Sequence, residues 1–156
     1  AIRIISKEGP LYNPADRDHC LQYMLAIPLI HGALTADHYE DEVAADPRID
    51  ELRSKMVVRE EPRFTEEYLD PEKRSIGNAV QVFFRDGSST QRISIDYPIG
   101  HRRRRSEGIP VLEAKFLDAL HTRFPKSQAR RVYDLCLDAE RLSNTPVNRF
   151  MDLLVI

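Results

Sequence analysis

The sequence predicts an α+β fold, an antiparallel sheet with helices packed on one of its faces. The sheet is indicated by apolar residues that alternate with polar ones on both sides of an Asp86-Gly87 turn. The alternating residues are Val80, Val82 and Phe84 before the turn and Ile93, Ile95 and Tyr97 after it. Such alternation around an Asp-Gly pair is typical of a β-hairpin, here over residues 80–97. Helical patterns lie before and after this hairpin rather than between parallel strands, which favours α+β.

The first long helix is predicted over residues 14–31. Pro14 is tolerated in a first turn, and Asp16 suits the positive end of the helix dipole. An apolar stripe with three- and four-residue spacing follows, formed by Cys20, Met24, Ile27 and Ile30. We expect Pro28 to kink this helix and Gly32 to end it.

Shorter elements are predicted between this helix and the hairpin. A short capped helix is predicted over residues 35–43, and another from Asp46-Pro47 to about Lys55, with Ile49 and Leu52 facing inward. Residues 56–59 are predicted to form a short strand. Residues 63–74 are polar, and we expect them to be irregular.

Two amphipathic helices and a short last helix are predicted after the hairpin. The first carries Leu112, Phe116, Leu120 and Phe124, one apolar residue in every four, and ends at Pro125. The apolar residues of the second are Ala129, Val132, Leu135, Cys136, Ala139 and Leu142. Thr145-Pro146 is a start signal for the last helix.

Composition excludes several classes of protein. The 156 residues carry a net charge of −2 at pH 7, which argues against a nucleic-acid binder. We find no apolar run long enough to cross a bilayer and no signal peptide, so no membrane association is expected. Cys20 and Cys136 are the only cysteines, too few for a disulfide framework, a zinc cage or an iron–sulfur cluster. The sequence therefore predicts no metal, no cofactor and a reducing cytoplasm, and its start at Ala1 without Met suggests a piece of a longer protein.

Residues 13–23 are dense in side chains that can carry chemistry. His19 and Tyr23 are four residues apart, so on one helix they would project from the same face. A tyrosine can act as a general acid, and a histidine can donate, accept or hold a carboxylate. The alternative interpretation is that both are ordinary helix residues whose polar ends are satisfied at the surface.

A second candidate is the run of arginines at 102–105, which follows Tyr97-Pro98-Ile99-Gly100-His101. Three interpretations compete for it: a nucleic-acid patch, a site for substrate carboxylates, and a structural element that pairs with acidic groups. The first lacks interleaved aromatic residues. Four consecutive side chains cannot all point one way, so at most two can reach one ligand. The structural interpretation is favoured.

Three motifs in order resemble the PrpD branch of the MmgE/PrpD family. They are the segment from Asn13-Pro-Ala-Asp-Arg-Asp-His-Cys-Leu-Gln-Tyr to Leu29, Asp70-Pro-Glu-Lys-Arg74, and Tyr97-Pro-Ile-Gly-His with the arginine run. The likeness continues through Leu112-Glu-Ala-Lys-Phe116 and Thr145-Pro-Val-Asn148. It implies that residues 1–156 are the C-terminal domain of a larger enzyme whose N-terminal helical domain is absent from this chain.

The resemblance also implies a reaction: dehydration of 2-methylcitrate to 2-methyl-cis-aconitate in the methylcitrate cycle of propionate catabolism, without an iron–sulfur cluster. Members tend to be dimers, with an active site in a cleft between two domains. Alternatives are a cis-aconitate decarboxylase, a broader tricarboxylate lyase, or a non-catalytic dimerisation or lid domain.

The family pattern carries over to a few positions. Tyr23 matches a tyrosine at the active site of the decarboxylase branch, His19 has a counterpart in the same helix, and Arg17 belongs to the dehydratase form of the motif. We expect Tyr23 and His19 to be catalytic. Arg17, Arg102 and Arg103 are the predicted ligands of a tricarboxylate substrate. The general base is expected on the part of the enzyme that this chain lacks, so the fragment alone should be inactive.

Overall fold

The computed structural model describes residues 2–156, so Ala1 lies outside the described residues. Helices dominate, and two short strands form an antiparallel pair. The helices are α1 (Ile2–Ile5), α2 (Pro14–Arg17), α3 (Leu21–His31), α4 (Asp41–Ala44), α5 (Pro47–Arg53), α6 (Pro62–Leu69), α7 (Arg105–His121), α8 (Lys126–Leu137), α9 (Ala139–Ser143) and α10 (Val147–Asp152). The strands are β1 (Asn78–Val80) and β2 (Ile93–Ile95), and 3-10 turns cover Ala36–Tyr39 and Arg102–Arg104. The predicted α+β class is confirmed.

The chain divides into two compact units, of which the first ends at Thr65 and the second covers Glu66–Ile156. In the first unit, α3 packs against α5. The core between them consists of Cys20, Tyr23, Ala26, Ile27 and Ile49. The predicted inward position of Ile49 is confirmed, since its exposed fraction is 1%.

The predicted helix over residues 14–31 is broken in the structure. α2 ends at Arg17, and α3 begins at Leu21 after Cys20, whose backbone is extended (φ −121°, ψ 107°). Asn13 caps α2 by accepting a hydrogen bond from the backbone N–H of Asp16. Local capping competes here with helix propagation, so the single helix predicted from the apolar spacing was wrong.

The end of α3 follows the prediction. Pro28 lies inside the helix, and Gly32 ends it with a left-handed backbone (φ 82°). The N–H of Gly32 donates to the carbonyl of Pro28 at 2.9 Å. A glycine is favoured at this position because a side chain would be strained at positive φ.

Two predictions near the boundary of the units were wrong. Residues 56–59 form no strand, and Pro62–Leu69 forms helix α6 where an irregular segment was expected. Pro62 occupies the first helical position, where its missing N–H costs nothing. The many charged residues of α6 concealed this start signal.

The predicted hairpin is present in the second unit, with shorter strands than expected. Asn78 pairs with Ile95 and Val80 with Ile93, and a further bridge joins Phe83 to Ser89 near the turn. Gly87 in the turn has φ 86°. The apolar side chains of the sheet remain exposed, with 65% of Ile93 and 51% of Ile95 accessible, so the helical cover expected on one face is not seen over these residues.

Helices α7 and α8 form the core of the second unit. Leu120 of α7 packs with Ala129 and Val132 of α8, surrounded by a ring of partly buried residues. That ring consists of Phe116, Phe124, Tyr133, Cys136, Leu153 and Leu154. Asp138 separates α8 from α9 and caps α9 through the N–H of Arg141, so the predicted second amphipathic helix is two helices. None of the helices in residues 2–156 has the length and apolar character needed to span a bilayer.

Candidate functional site

Tyr23 lies in the core of the first unit, in the first turn of α3. Its exposed fraction is 2%, and its hydroxyl donates a 2.6 Å hydrogen bond to the carbonyl of His38. Its ring stacks on that of Tyr39 at a centroid distance of 6.1 Å. Burial raises the pKa of the Tyr23 hydroxyl, so the group stays protonated at neutral pH. A protonated, oriented hydroxyl is what a general acid requires.

Arg17, the last residue of α2, is also buried, with an exposed fraction of 5%. One terminal nitrogen donates to the carbonyl of Tyr39 at 2.6 Å, and the other is 2.7 Å from a carboxylate oxygen of Asp41. The buried Nε of Arg17 has no hydrogen-bond partner among the described residues. In this arrangement Arg17 and Tyr23 both hold the turn over Ala36–Tyr39.

His19 is placed differently from the prediction. It is exposed and lies in the Asp18–Cys20 break between α2 and α3, so it does not share a helix face with Tyr23. Its Nδ1 is 2.5 Å from the carboxylate of Asp18. A carboxylate in contact with one ring nitrogen orients the imidazole. The predicted i, i+4 pairing with Tyr23 was therefore wrong, whereas the assignment of His19 to the site stays a prediction.

Arg103 and Arg104, in the arginine run, are held by local contacts in the second unit. Arg103 donates to the hydroxyl of Tyr97 at 2.8 Å and to the carbonyl of Glu72 at 2.8 Å, and its guanidinium lies over the Tyr97 ring. Arg104 forms a two-bond ion pair with Glu107 and donates to the carbonyl of Tyr97 at 3.0 Å. These contacts support the structural interpretation of the run.

Arg102 retains more of its hydrogen-bonding capacity. One terminal nitrogen donates to the carbonyls of Pro71 and Glu72, at 3.3 and 3.2 Å. Arg102 is exposed and is one of the residues that line a shallow, open cavity of about 370 Å³. The cavity is lined by Arg74, Ile76, Pro98, Gly100, His101 and Arg102. Of the two arginines in the run predicted to bind substrate, Arg102 is thus the better placed to contact a ligand.

Sequence reasoning missed three participants in these contacts. The ion-pair partner of Arg17 is Asp41, the acceptor for Tyr23 is the carbonyl of His38, and Arg74 lines the cavity beside Arg102. A backbone carbonyl leaves no signal in a sequence. Asp41 and Arg74 carry a charge signal, but both lie well apart in sequence from the residues they accompany. No group of three or more metal-ligating side chains occurs in the part of the chain that the structure describes.

Comparison with known proteins gives one family. The family model of the MmgE/PrpD C-terminal domain matches residues 1–139. The chain is 57% identical over 155 residues to the 2-methylcitrate dehydratase of Salmonella typhimurium and 55% identical to that of Escherichia coli, and each match covers 99% of this chain. It is 54% identical to the mitochondrial 2-methylcitrate dehydratase of Yarrowia lipolytica.

These matches cover nearly all of the chain but only part of each relative. The chain spans 32% of the length of the two bacterial enzymes and 29% of the yeast enzyme. The resemblance seen in the motifs is confirmed by the family match and by the identities. The chain belongs to the MmgE/PrpD C-terminal domain family.

Proposed function

We propose that this chain is the C-terminal domain, residues 1–156, of a hydro-lyase that dehydrates 2-methylcitrate to 2-methyl-cis-aconitate in the methylcitrate cycle. The carrying observation is the identity of 54–57% to three enzymes named 2-methylcitrate dehydratase. The proposal includes a cytoplasmic homodimer that binds neither nucleic acid nor membrane. Its other partner is the N-terminal helical domain of the same protein, which would supply the general base.

In the proposed reaction, a base removes a proton from the carbon beside a carboxylate and the tertiary hydroxyl leaves as water. The departing hydroxyl needs a proton, and the growing charge on the carboxylate needs cations. Tyr23 is suited to give that proton, because burial keeps its hydroxyl protonated. To do so, its O–H must turn from the carbonyl of His38 to the leaving group.

His19 is the second proposed proton carrier, with Asp18 orienting its ring. Arg17, Arg102 and Arg103 remain the proposed ligands of the substrate carboxylates. Their contacts favour Arg102 for direct binding. Arg17 and Arg103 would have to give up hydrogen bonds to the Tyr39 and Glu72 carbonyls in order to bind a carboxylate. No cofactor or metal is part of the proposal.

The test uses the full-length protein and Tyr23→Phe, which removes only the hydroxyl. With 2-methylcitrate as substrate, we expect the absorbance of the conjugated product to appear at a rate lowered by about 10²–10⁴-fold, the usual contribution of a general acid. Tyr12→Phe is the matched control, since Tyr12 is 78% exposed and should leave turnover unchanged. Tyr12→Phe should keep the unfolding temperature of the parent, whereas Tyr23→Phe should stay folded with a lower unfolding temperature, because it loses the hydrogen bond to the carbonyl of His38.

Other outcomes separate the alternatives. Near-normal turnover of Tyr23→Phe would remove this residue from the chemistry. Release of carbon dioxide from cis-aconitate, without dehydration of 2-methylcitrate, would indicate a decarboxylase. Lack of activity on 2-methylcitrate, citrate and cis-aconitate by a folded full-length protein would favour a non-catalytic dimerisation or lid domain.

A further inference from the structure

The 3-10 turn Ala36–Tyr39 supplies hydrogen-bond acceptors for both Arg17 and Tyr23. The carbonyl of His38 accepts from the hydroxyl of Tyr23 at 2.6 Å, and the carbonyl of Tyr39 accepts from Arg17 at 2.6 Å. The ring of Tyr23 is held by the surrounding core and by the stacked ring of Tyr39. The direction of its O–H bond therefore depends on where the turn holds the carbonyl of His38.

The side chain of His38 closes this turn. Its Nδ1 accepts from the backbone N–H of Thr35 at 2.9 Å, and the N–H of His38 donates to the carbonyl of Thr35 at 3.2 Å. Thr35 and His38 form a capping box, in which the position of His38 is usually taken by glutamate or glutamine. Because the side-chain bond reaches back three residues, it restrains the backbone of His38 and with it the carbonyl that Tyr23 contacts.

A second contact ties His38 to α3. Its ring lies against that of His31, the last residue of α3, with centroids 5.1 Å apart. Tyr23 is in the first turn of the same helix. The turn thus contacts α3 near both of its ends, once through the Tyr23 hydroxyl and once through the His31 ring. Such double attachment keeps the proposed acid at a fixed place, as proton transfer to a bound substrate requires.

We propose that His38 is a positioning residue for the hydroxyl of Tyr23. Its side chain closes the turn, the turn places the carbonyl, and the carbonyl orients the O–H bond whose proton would go to the leaving hydroxyl. This role rests on the proposed dehydration, in which Tyr23 is the general acid. A misdirected proton donor slows the chemical step without weakening substrate binding, so kcat should respond and KM should not.

The test compares His38→Leu, which removes the acceptor for Thr35, with His38→Gln, which restores the usual capping-box side chain. In the full-length protein with 2-methylcitrate, we expect His38→Leu to lower kcat by about tenfold at an unchanged KM, since small misplacement of a catalytic group is costly. His38→Gln should recover most of the kcat of the parent. His121→Leu is the matched control, because His121 is exposed and lies in the second unit.

A general loosening of the fold would also lower kcat, and the Tyr23→Phe background separates the two causes. If His38 acts through the Tyr23 hydroxyl, His38→Leu should change the kcat of Tyr23→Phe by less than about twofold, because the group that it positions is already gone. A loosened fold would lower kcat to the same extent in both backgrounds.

Two measurements without substrate distinguish this role from the proposed function. In urea unfolding, Tyr23→Phe should cost less stability in His38→Leu than in the parent, since the hydrogen bond to the carbonyl is already weakened there. Hydrogen exchange of the parent needs no variant. The amide of Thr35, which donates to Nδ1 of His38, should exchange at least about tenfold more slowly than an amide of an unstructured chain.

Four results would overturn the positioning role: additive effects of the two substitutions on unfolding, an unprotected Thr35 amide, an equal loss of kcat in both backgrounds, or a His38→Gln protein as slow as His38→Leu. A parent that does not turn over 2-methylcitrate would contradict the proposed function instead. The unfolding and exchange results would then decide whether His38 places the Tyr23 hydroxyl.

Discussion

Arg17 shows how much the surroundings of a single side chain add to what the sequence alone indicates. A cationic residue shortly before a candidate acid fits a carboxylate site by type. The structure places its guanidinium in the protein interior, against the carbonyl of Tyr39 and the carboxylate of Asp41. The family motif singled out Arg17, but its partners are more than twenty positions away in the sequence and were identified only from the structure.

We expect Arg17→Ala to lower the free energy of unfolding by about 2–3 kcal/mol, because it removes a charge-assisted hydrogen bond to a partly buried carbonyl. Asp41→Asn should cost less than about 1 kcal/mol, since the Asp41 side chain is 86% exposed and its ion pair is screened by water. Urea unfolding of the two variants measures both values.

The opposite pattern would support Arg17 as a ligand of the substrate. An Arg17→Ala protein of normal stability with a raised KM for 2-methylcitrate would contradict the structural role and support direct contact with a carboxylate.

His19 and Tyr23 show when residue spacing fails to predict which side chains lie together. Their four-residue separation implies a common face only if the helix is continuous. The extended backbone at Cys20 breaks that condition. The burial of Tyr23 could be predicted from the sequence, since Tyr23 is four residues from Ile27 of the apolar stripe. The position of His19 outside α3 could not, because the break at Cys20 is not visible in the spacing.

Among the elements, the approach of α7 to the loop before the arginine run depends on Gly108. A Cβ on this residue would lie 2.3 Å from the carbonyl oxygen of Ile99, a distance that backbone atoms cannot accommodate without moving. Glycine normally weakens a helix interior, so its presence in α7 has a packing reason.

Gly108→Ala should therefore destabilise the protein, although alanine favours a helix by about 1 kcal/mol over glycine. We expect a lowered midpoint of thermal unfolding. Gly100→Ala is the matched control, because a Cβ added at Gly100 would meet no atom within 4 Å and the φ of Gly100 is not positive. A Gly108→Ala protein that is more stable than the parent would show that the close approach to Ile99 is unimportant.

Elements with strong periodicity or turn chemistry were predictable, and those without it were not. The hairpin follows from alternation around Asp86-Gly87, and α7 and α8 follow from their apolar stripes. α6 was missed because its charged residues masked the proline start signal. The strand expected at 56–59 was wrong because local β-propensity has no effect without a neighbouring strand to pair with.

At the scale of the whole molecule, carboxyl groups with lowered pKa values make the stability of the fold depend on pH. The Lys7 ammonium, through a hydrogen bond, lowers the pKa of Asp16, and the Ser88 hydroxyl does so for Asp86. The Arg104 guanidinium lowers the pKa of Glu107, and that of Arg48 lowers the pKa of Asp46 to about 2. In each case the folded state holds its proton less tightly than the unfolded chain does.

A lowered folded-state pKa contributes stability that is complete above the unfolded-state pKa and is lost as the pH falls toward the folded value. We therefore expect the unfolding temperature to fall between about pH 4 and about pH 2, the window set by Asp46 and an unperturbed aspartate. Asp46→Asn should flatten this dependence, because the amide oxygen can still cap α5 while the titrating group is gone.

Salt gives a second check on the same charges. Since these carboxyl groups are near the surface, 1 M NaCl, with a Debye length of about 3 Å, should reduce the acid-induced loss. An Asp46→Asn protein with the parent's full pH dependence would show that Asp46 does not contribute to it.

The sheet has a consequence for how this chain behaves outside a larger assembly. Among the described residues neither β1 nor β2 has a second neighbour, and Val80, Ile93 and Ile95 face solvent. Unpaired backbone groups beside apolar side chains are a template for edge-to-edge pairing with another copy. Arg85, Asp86 and Arg92 place charges near this edge and oppose such pairing. The edge is thus a potential nucleus for aggregation that these three charged residues hold in check.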